Sequence, residues 1–137
     1  MNRSARALGG ERGAVLVSGL LLSLALLMVI GVAVDVGHAF IVRRELVAAA
    51  DAAALSGSQA LDINALHQGR LALDPQAAQN AALAALSTEQ AVEAQATASW
   101  AGVSVHVKRS FPTVLLRIVG LASLTVSAQA TAAPRAP

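Results

Sequence analysis

Three histidines, eight carboxylates and no cysteine are the raw material for chemistry in this 137-residue chain. His38, His67 and His106 lie far apart, and none stands in H-E-x-x-H or a comparable metal-ligand spacing. No serine occupies G-x-S-x-G, so there is no nucleophile elbow. Gly9, Gly10 and Gly13 lead into an apolar run and follow no strand pattern, which is the wrong setting for a phosphate loop. Without cysteine there are no thiolate metal sites, thiol nucleophiles or disulfides, and the redox compartment is left open. The carboxylates fall at predicted helix starts and on solvated helix faces, and His106 falls on the polar face of a predicted strand. These parts assemble no catalytic, metal or cofactor site. The ten basic residues are scattered, the net charge is +2, and aromatics make up 2% of the chain. That pattern excludes an electrostatic footprint for nucleic acid.

What remains is architecture. Residues 13–34 read GAVLVSGLLLSLALLMVIGVAV, with no charged side chain. About 20 apolar residues at ~1.5 Å each match the ~30 Å hydrocarbon core of a bilayer. In lipid every peptide group must be paired within the segment, so the run must be helical. The sequence continues as DVGHAFIVRRELVAAADAAALSG, proline-free and rich in Ala, Leu, Arg and Glu, so the helix extends into water. The expected organisation is a basic tail at 1–12, a membrane helix at 13–36, an Ala-rich stalk helix at 37–72 and a small α+β head at 73–137.

Arg3, Arg6 and Arg12 flank the run on one side and Arg43 and Arg44 on the other. Nearby basic residues favour the cytoplasmic side, and long C-terminal segments translocate largely regardless of charge. The tail is therefore expected in the cytoplasm and the bulk outside. The competing reading is a cleaved secretory signal, for which Gly31-Val32-Ala33 offers small residues. The run is longer than the 7–15 residues usual for such signals.

Asp35 stands just beyond the apolar run. One reading is a solvated interface residue. The other is a carboxylate near hydrocarbon that needs a partner. Arg43 and Arg44 are too far along the same helix for an i to i+4 pair, so that partner is expected from another chain. Small residues recur at i to i+4 around Ala50, Ala53, Ala54 and Gly57, and the row Ala25, Val29, Ala33, Gly37 is similar. Such spacing lets backbones approach closely and favours packing against another helix, in this chain or a neighbour. Ala helix propensity alone also accounts for it.

Asp74-Pro75 marks a fresh helix, with Asp as N-cap and Pro at the first helical position. Ala78, Ala82, Leu83 and Leu86 form its apolar face. The period then becomes two. Val92, Ala94, Ala96, Ala98 and Trp100 alternate with polar residues, as do Val103, Val105 and Val107, and then Leu124, Val126, Ala128 and Ala130. Three such runs predict a three-stranded sheet with one buried face, the first two joined as a hairpin. Residues 112–119 read as a short helix capped by Gly120, able to cover the buried face. The direction of the third strand is open.

Three stretches together resemble TadG/TadE-like pilus-assembly proteins. They are Arg12-Gly13-Ala14 opening the apolar run, Val34-Asp35-Val36-Gly37, and RRELVAAADAAALSG at 43–57. VSVHVKRSFPTVLLRIVGLASLTVSAQATA at 103–132 is similar to the family's closing strand–Pro–helix–strand pattern. The resemblance implies a pilin-like fold and a minor pilin or pseudopilin role in the tight-adherence (Flp) pilus machine of bacteria. It implies an inner-membrane, single-pass anchor, other Tad/Flp proteins or pilin-like helices as partners, self-association, and action by packing instead of catalysis. Asp35, Arg43, Arg44 and Asp51 fall on the family's charged positions. Prepilins place Glu at the fifth position after a cleaved glycine. Here Val15 follows Gly10 and Ser18 follows Gly13 at that distance, which argues against prepilin-type processing.

Two functions from different classes compete. The first is an assembly component whose interaction residues are Asp35, Gly37, Arg43, Arg44, Ala50, Asp51, Ala53, Ala54 and Gly57. The second is a membrane-tethered module that captures a peptide or envelope polymer, for which a groove beside Trp100 would speak.

Overall fold

No proline occurs before Pro75, so no proline interrupts the first helix through the small-residue segment, and it ends at Ser58. The computed structural model describes residues 4–87 and 93–135, with side chains from residue 13. Helix α1 spans Ser4–Ser58. It is followed by α2 (Ile63–His67), α3 (Pro75–Leu86), β1 (Glu93–Ser99), β2 (Gly102–Pro112), a 3-10 turn (Leu116–Val119) and β3 (Ser123–Ala132). The fold class is α+β. Val92 and the first residues of the tail, Met1 to Arg3, lie outside the described residues.

The chain divides into two bodies. One consists of α1 up to Gly37 with Thr113–Ala122, and the other of His38–Pro112 with the chain from Ser123 onward.

The second body holds the sheet. Its order is β1-β2-β3, and both pairings are antiparallel, which settles the direction of β3. Ser99 pairs with Gly102, so Trp100 and Ala101 form a two-residue hairpin turn. Trp100 thereby leaves the pleat and is 71% exposed, where simple alternation had placed it with the buried row. β2 runs on to Pro112, through Arg109, Ser110 and Phe111. Pro112 closes the ladder opposite Ser123 at the strand's end, where its missing N–H does little harm.

Ala96 of β1, Val103, Val105, Val107 and Phe111 of β2, and Ala128 and Ala130 of β3 share one buried cluster with α1 and α3. α1 supplies Val42, Leu46, Ala50, Ala53 and Ala54, spaced as one helical face, and α3 supplies Ala82 and Leu86. The buried face of the sheet is thus closed by α1 and α3. Of residues 112–119, expected to cover it, Pro112 ends β2 and 113–119 belong to the other body, with Val114, Ile118 and Val119 exposed. The reason is that α1's own apolar face already fills the place. Leu83 is likewise exposed, because Ala78, Ala82 and Leu86 alone define α3's inner face.

The core is built from small side chains, each of which removes little area from water. Close backbone approach makes up part of the difference. A Cβ on Gly57 would stand 2.9 Å from the Ala78 carbonyl oxygen and 3.1 Å from Val103 Cγ1, so glycine lets α1, α3 and β2 converge there. Between α1 and α3 the chain is pinned by backbone hydrogen bonds, one local and one to the β1–β2 turn. Leu61 and Leu73 form an antiparallel bridge, and Leu73 N–H donates to the Trp100 carbonyl at 3.0 Å. Asp62 and Asp74 cap α2 and α3 through their side chains, each accepting two backbone N–H groups.

Candidate functional site

The first body contains one carboxylate that the sequence singles out. Asp35 is 4% exposed. Its Oδ1 accepts the backbone N–H of Val114 at 3.0 Å, and its Oδ2 accepts those of Leu115 and Leu116, both at 2.9 Å. These are the leading N–H groups of the 3-10 turn, which have no partner inside it. The N-cap position, Leu115, has no side-chain acceptor of its own, and Asp35 takes that role from far upstream. Bonding to three amides offsets the cost of burying the carboxylate. The partner expected from another chain is therefore found in this one, as main-chain donors.

Thr113–Ala122 is closed on itself as well. Thr113 N–H donates to the Ala122 carbonyl at 3.1 Å, and the Thr113 hydroxyl donates to the Leu121 carbonyl. Gly120 ends the turn at φ +94°, the left-handed geometry that glycine tolerates best, so the cap read from the sequence is present. Gly31 seats the loop: a Cβ there would overlap the Leu115 side chain. Sequence reasoning gave Gly31 no such role. The one available sign was a Leu at the N-cap of a turn, which implies an acceptor from elsewhere.

In the second body the sequence-selected residues separate by face. Ala50, Ala53, Ala54 and Gly57 are buried in this chain's own core. Their close neighbours are the sheet and α3. Arg43, Arg44 and Asp51 are exposed, as is Gly37 in the first body. Arg44 and Asp51 are two turns apart on the side of α1 opposite Leu46 and Ala50. Phe40, Ile41, Val47 and Leu55 are exposed on the same length of helix. A shallow depression lined by Glu45, Ala48, Ala49 and Ala52 runs along it.

Arg109 is the unexpected member of β2's inner row. It lies in phase with Val107 and Phe111, and its Nη1 reaches Glu45 Oε2 of α1 at 3.2 Å. His38 stacks obliquely on Phe111, with ring centroids 5.0 Å apart. A depression of about 560 Å³ lies at the hairpin end of the sheet and is lined by Ser, Thr, Ala, Gly and Val. It is open and contains no titratable side chain. Among the described residues, no three of His, Asp and Glu come together as metal ligands.

Among the described residues, α1 is the one helix long and apolar enough to cross a membrane. Its side chains from 13 to 30 are exposed throughout, and the Ser23 hydroxyl is satisfied within the helix by the Gly19 carbonyl at 2.8 Å.

Comparison with known families matches residues 13–60 to a model described as Flp pilus-assembly TadE/G-like. A second model, described as Tad-like Flp pilus-assembly, matches residues 42–132. Searches of curated proteins and of solved structures found no match.

Proposed function

Because this chain belongs to the Tad-like family of Flp pilus-assembly proteins, we propose that it is a membrane-anchored, minor pilin-like component acting through helix packing. One observation carries this reading. α1 is covered on one face by its own sheet, and on the other it exposes Phe40, Ile41, Val47 and Leu55 beside the Ala48/Ala52 seam. Large apolar side chains held on a water-projecting helix mark a surface for a partner, and small residues let a second helix come close.

Arg44 and Asp51 supply register. They are seven residues apart, a rise of about 10.5 Å. A neighbouring copy or pilin-like helix staggered by that distance brings Arg44 of one against Asp51 of the other. Arg43 lies nearer the covered face and is the weaker candidate. The apolar segment is held in the bacterial inner membrane, with the N-terminus in the cytoplasm and the sheet body outside. The work is assembly.

The chain has no cysteine, so single cysteines can be placed at Arg44, Ala48, Asp51 and Leu55, with Ala50 and Ala53 as buried controls. In membranes from cells that assemble the pilus, crosslinks to the protein itself or to other pilus components are expected at the exposed positions only. Failure to crosslink at all four, with the protein present in the membrane, would overturn the reading.

A further inference from the structure

We infer that Thr113–Ala122 is a second membrane contact, a loop that lies in the lipid interface beside the end of the apolar helix. The inference rests on the membrane-anchor reading above and adds to it a segment that nothing in the hydropathy of a 20-residue window would select.

Three observations within the first body support it. The loop is fastened to α1 at the last turn of the uncharged run: Leu115 rests on Gly31, and Asp35, one turn on, holds the amides of Val114, Leu115 and Leu116. Its outward side chains are apolar, with Val114, Ile118, Val119 and Leu121 all more than half exposed. They stand at the level where α1 exposes Ile30, Val32 and Val34. The loop and the helix therefore present one continuous apolar surface.

The third observation is the loop's backbone. Irregular chain is tolerated near hydrocarbon only where its peptide groups are satisfied without water. Here the N–H groups of Thr113, Val114, Leu115, Leu116, Ile118, Gly120 and Leu121 all donate to acceptors within the same body. The loop's one charge, Arg117, is exposed, and a guanidinium on a long stem can reach anionic headgroups while its neighbours face acyl chains.

The test uses the full-length protein in liposomes containing acyl-chain-brominated lipid. Single cysteines at Leu24, Ile118, Val119 and Gln129 are labelled with bimane, whose fluorescence bromine quenches on contact. Loss of fluorescence is expected at Leu24, Ile118 and Val119, and none at Gln129 on the outer face of the sheet. Asp35→Ala is expected to abolish the loss at Val119 and leave that at Leu24. Quenching at Leu24 without quenching at Ile118 or Val119 overturns the loop inference while the anchor stands. No quenching at Leu24 overturns the anchor itself. Protection of Val119 only when another pilus protein is added shows a protein-docking loop and also overturns the inference.

Discussion

Asp35 and Leu115 are eighty residues apart in sequence and are joined by a 2.9 Å bond from a main-chain amide to a carboxylate. With the flanking bonds to Val114 and Leu116, it makes one side chain the organiser of a whole loop. Removing that side chain leaves three amides without acceptors. Asp35→Ala is expected to abolish slow hydrogen exchange at Val114, Leu115 and Leu116, and Asp35→Asn, which keeps one carbonyl oxygen, to abolish only part of it. Exchange measured by mass spectrometry in detergent checks this. A fully buried amide stripped of its acceptor costs about 1–3 kcal/mol, and these three are part-buried, so each should cost toward the lower end of that range in the Ala variant.

Gly57 is a point of convergence for α1, α3 and β2. Any side chain there must push against the Ala78 carbonyl, which cannot rotate away as a flexible side chain could. Overpacking of this kind costs about 1–3 kcal/mol. Gly57→Ala is expected to lower the urea midpoint of the sheet body, with Ala52→Gly on the exposed face as a comparison that tests helix propensity alone.

The Glu45–Arg109 pair looks important because Arg109 occupies an inward position, but Glu45 is 59% exposed at its side chain and solvent screens the charge. Such pairs contribute about 0–1 kcal/mol. Glu45→Gln should therefore shift stability by less than about 1 kcal/mol, and the shift should shrink further at high salt. A larger change at low and high salt alike would show that Glu45 has a packing role instead.

Arg44 and Asp51 test the proposed stagger. Asp51→Arg is expected to impair pilus assembly by placing like charges together, and Arg44→Asp in the same chain to restore it in part. Fully normal pili from the Asp51→Arg single variant would remove the charge register from the model of assembly.

Much of this protein is written in local patterns. The uncharged run at 13–34, the Asp74-Pro75 helix start, the three alternating strands and the Gly120 cap each depend on neighbours a few residues away, and such neighbours are visible in a sequence. The family follows from the same stretches. The end of β2 was harder to see, because Arg109 breaks the apolar row from an inward position and disguises three further strand residues.

What covers what was decided only in three dimensions. Ala50, Ala53 and Ala54 carry the same small-residue spacing whether their neighbour is a helix or a sheet, since small side chains specify closeness and not the identity of the partner. Asp35 could not be assigned its acceptance of Val114, Leu115 and Leu116, because every residue but proline carries an N–H and none is marked as waiting for a carboxylate. Long-range bonds to main chain leave no residue-type signature, so the folded chain alone determines them.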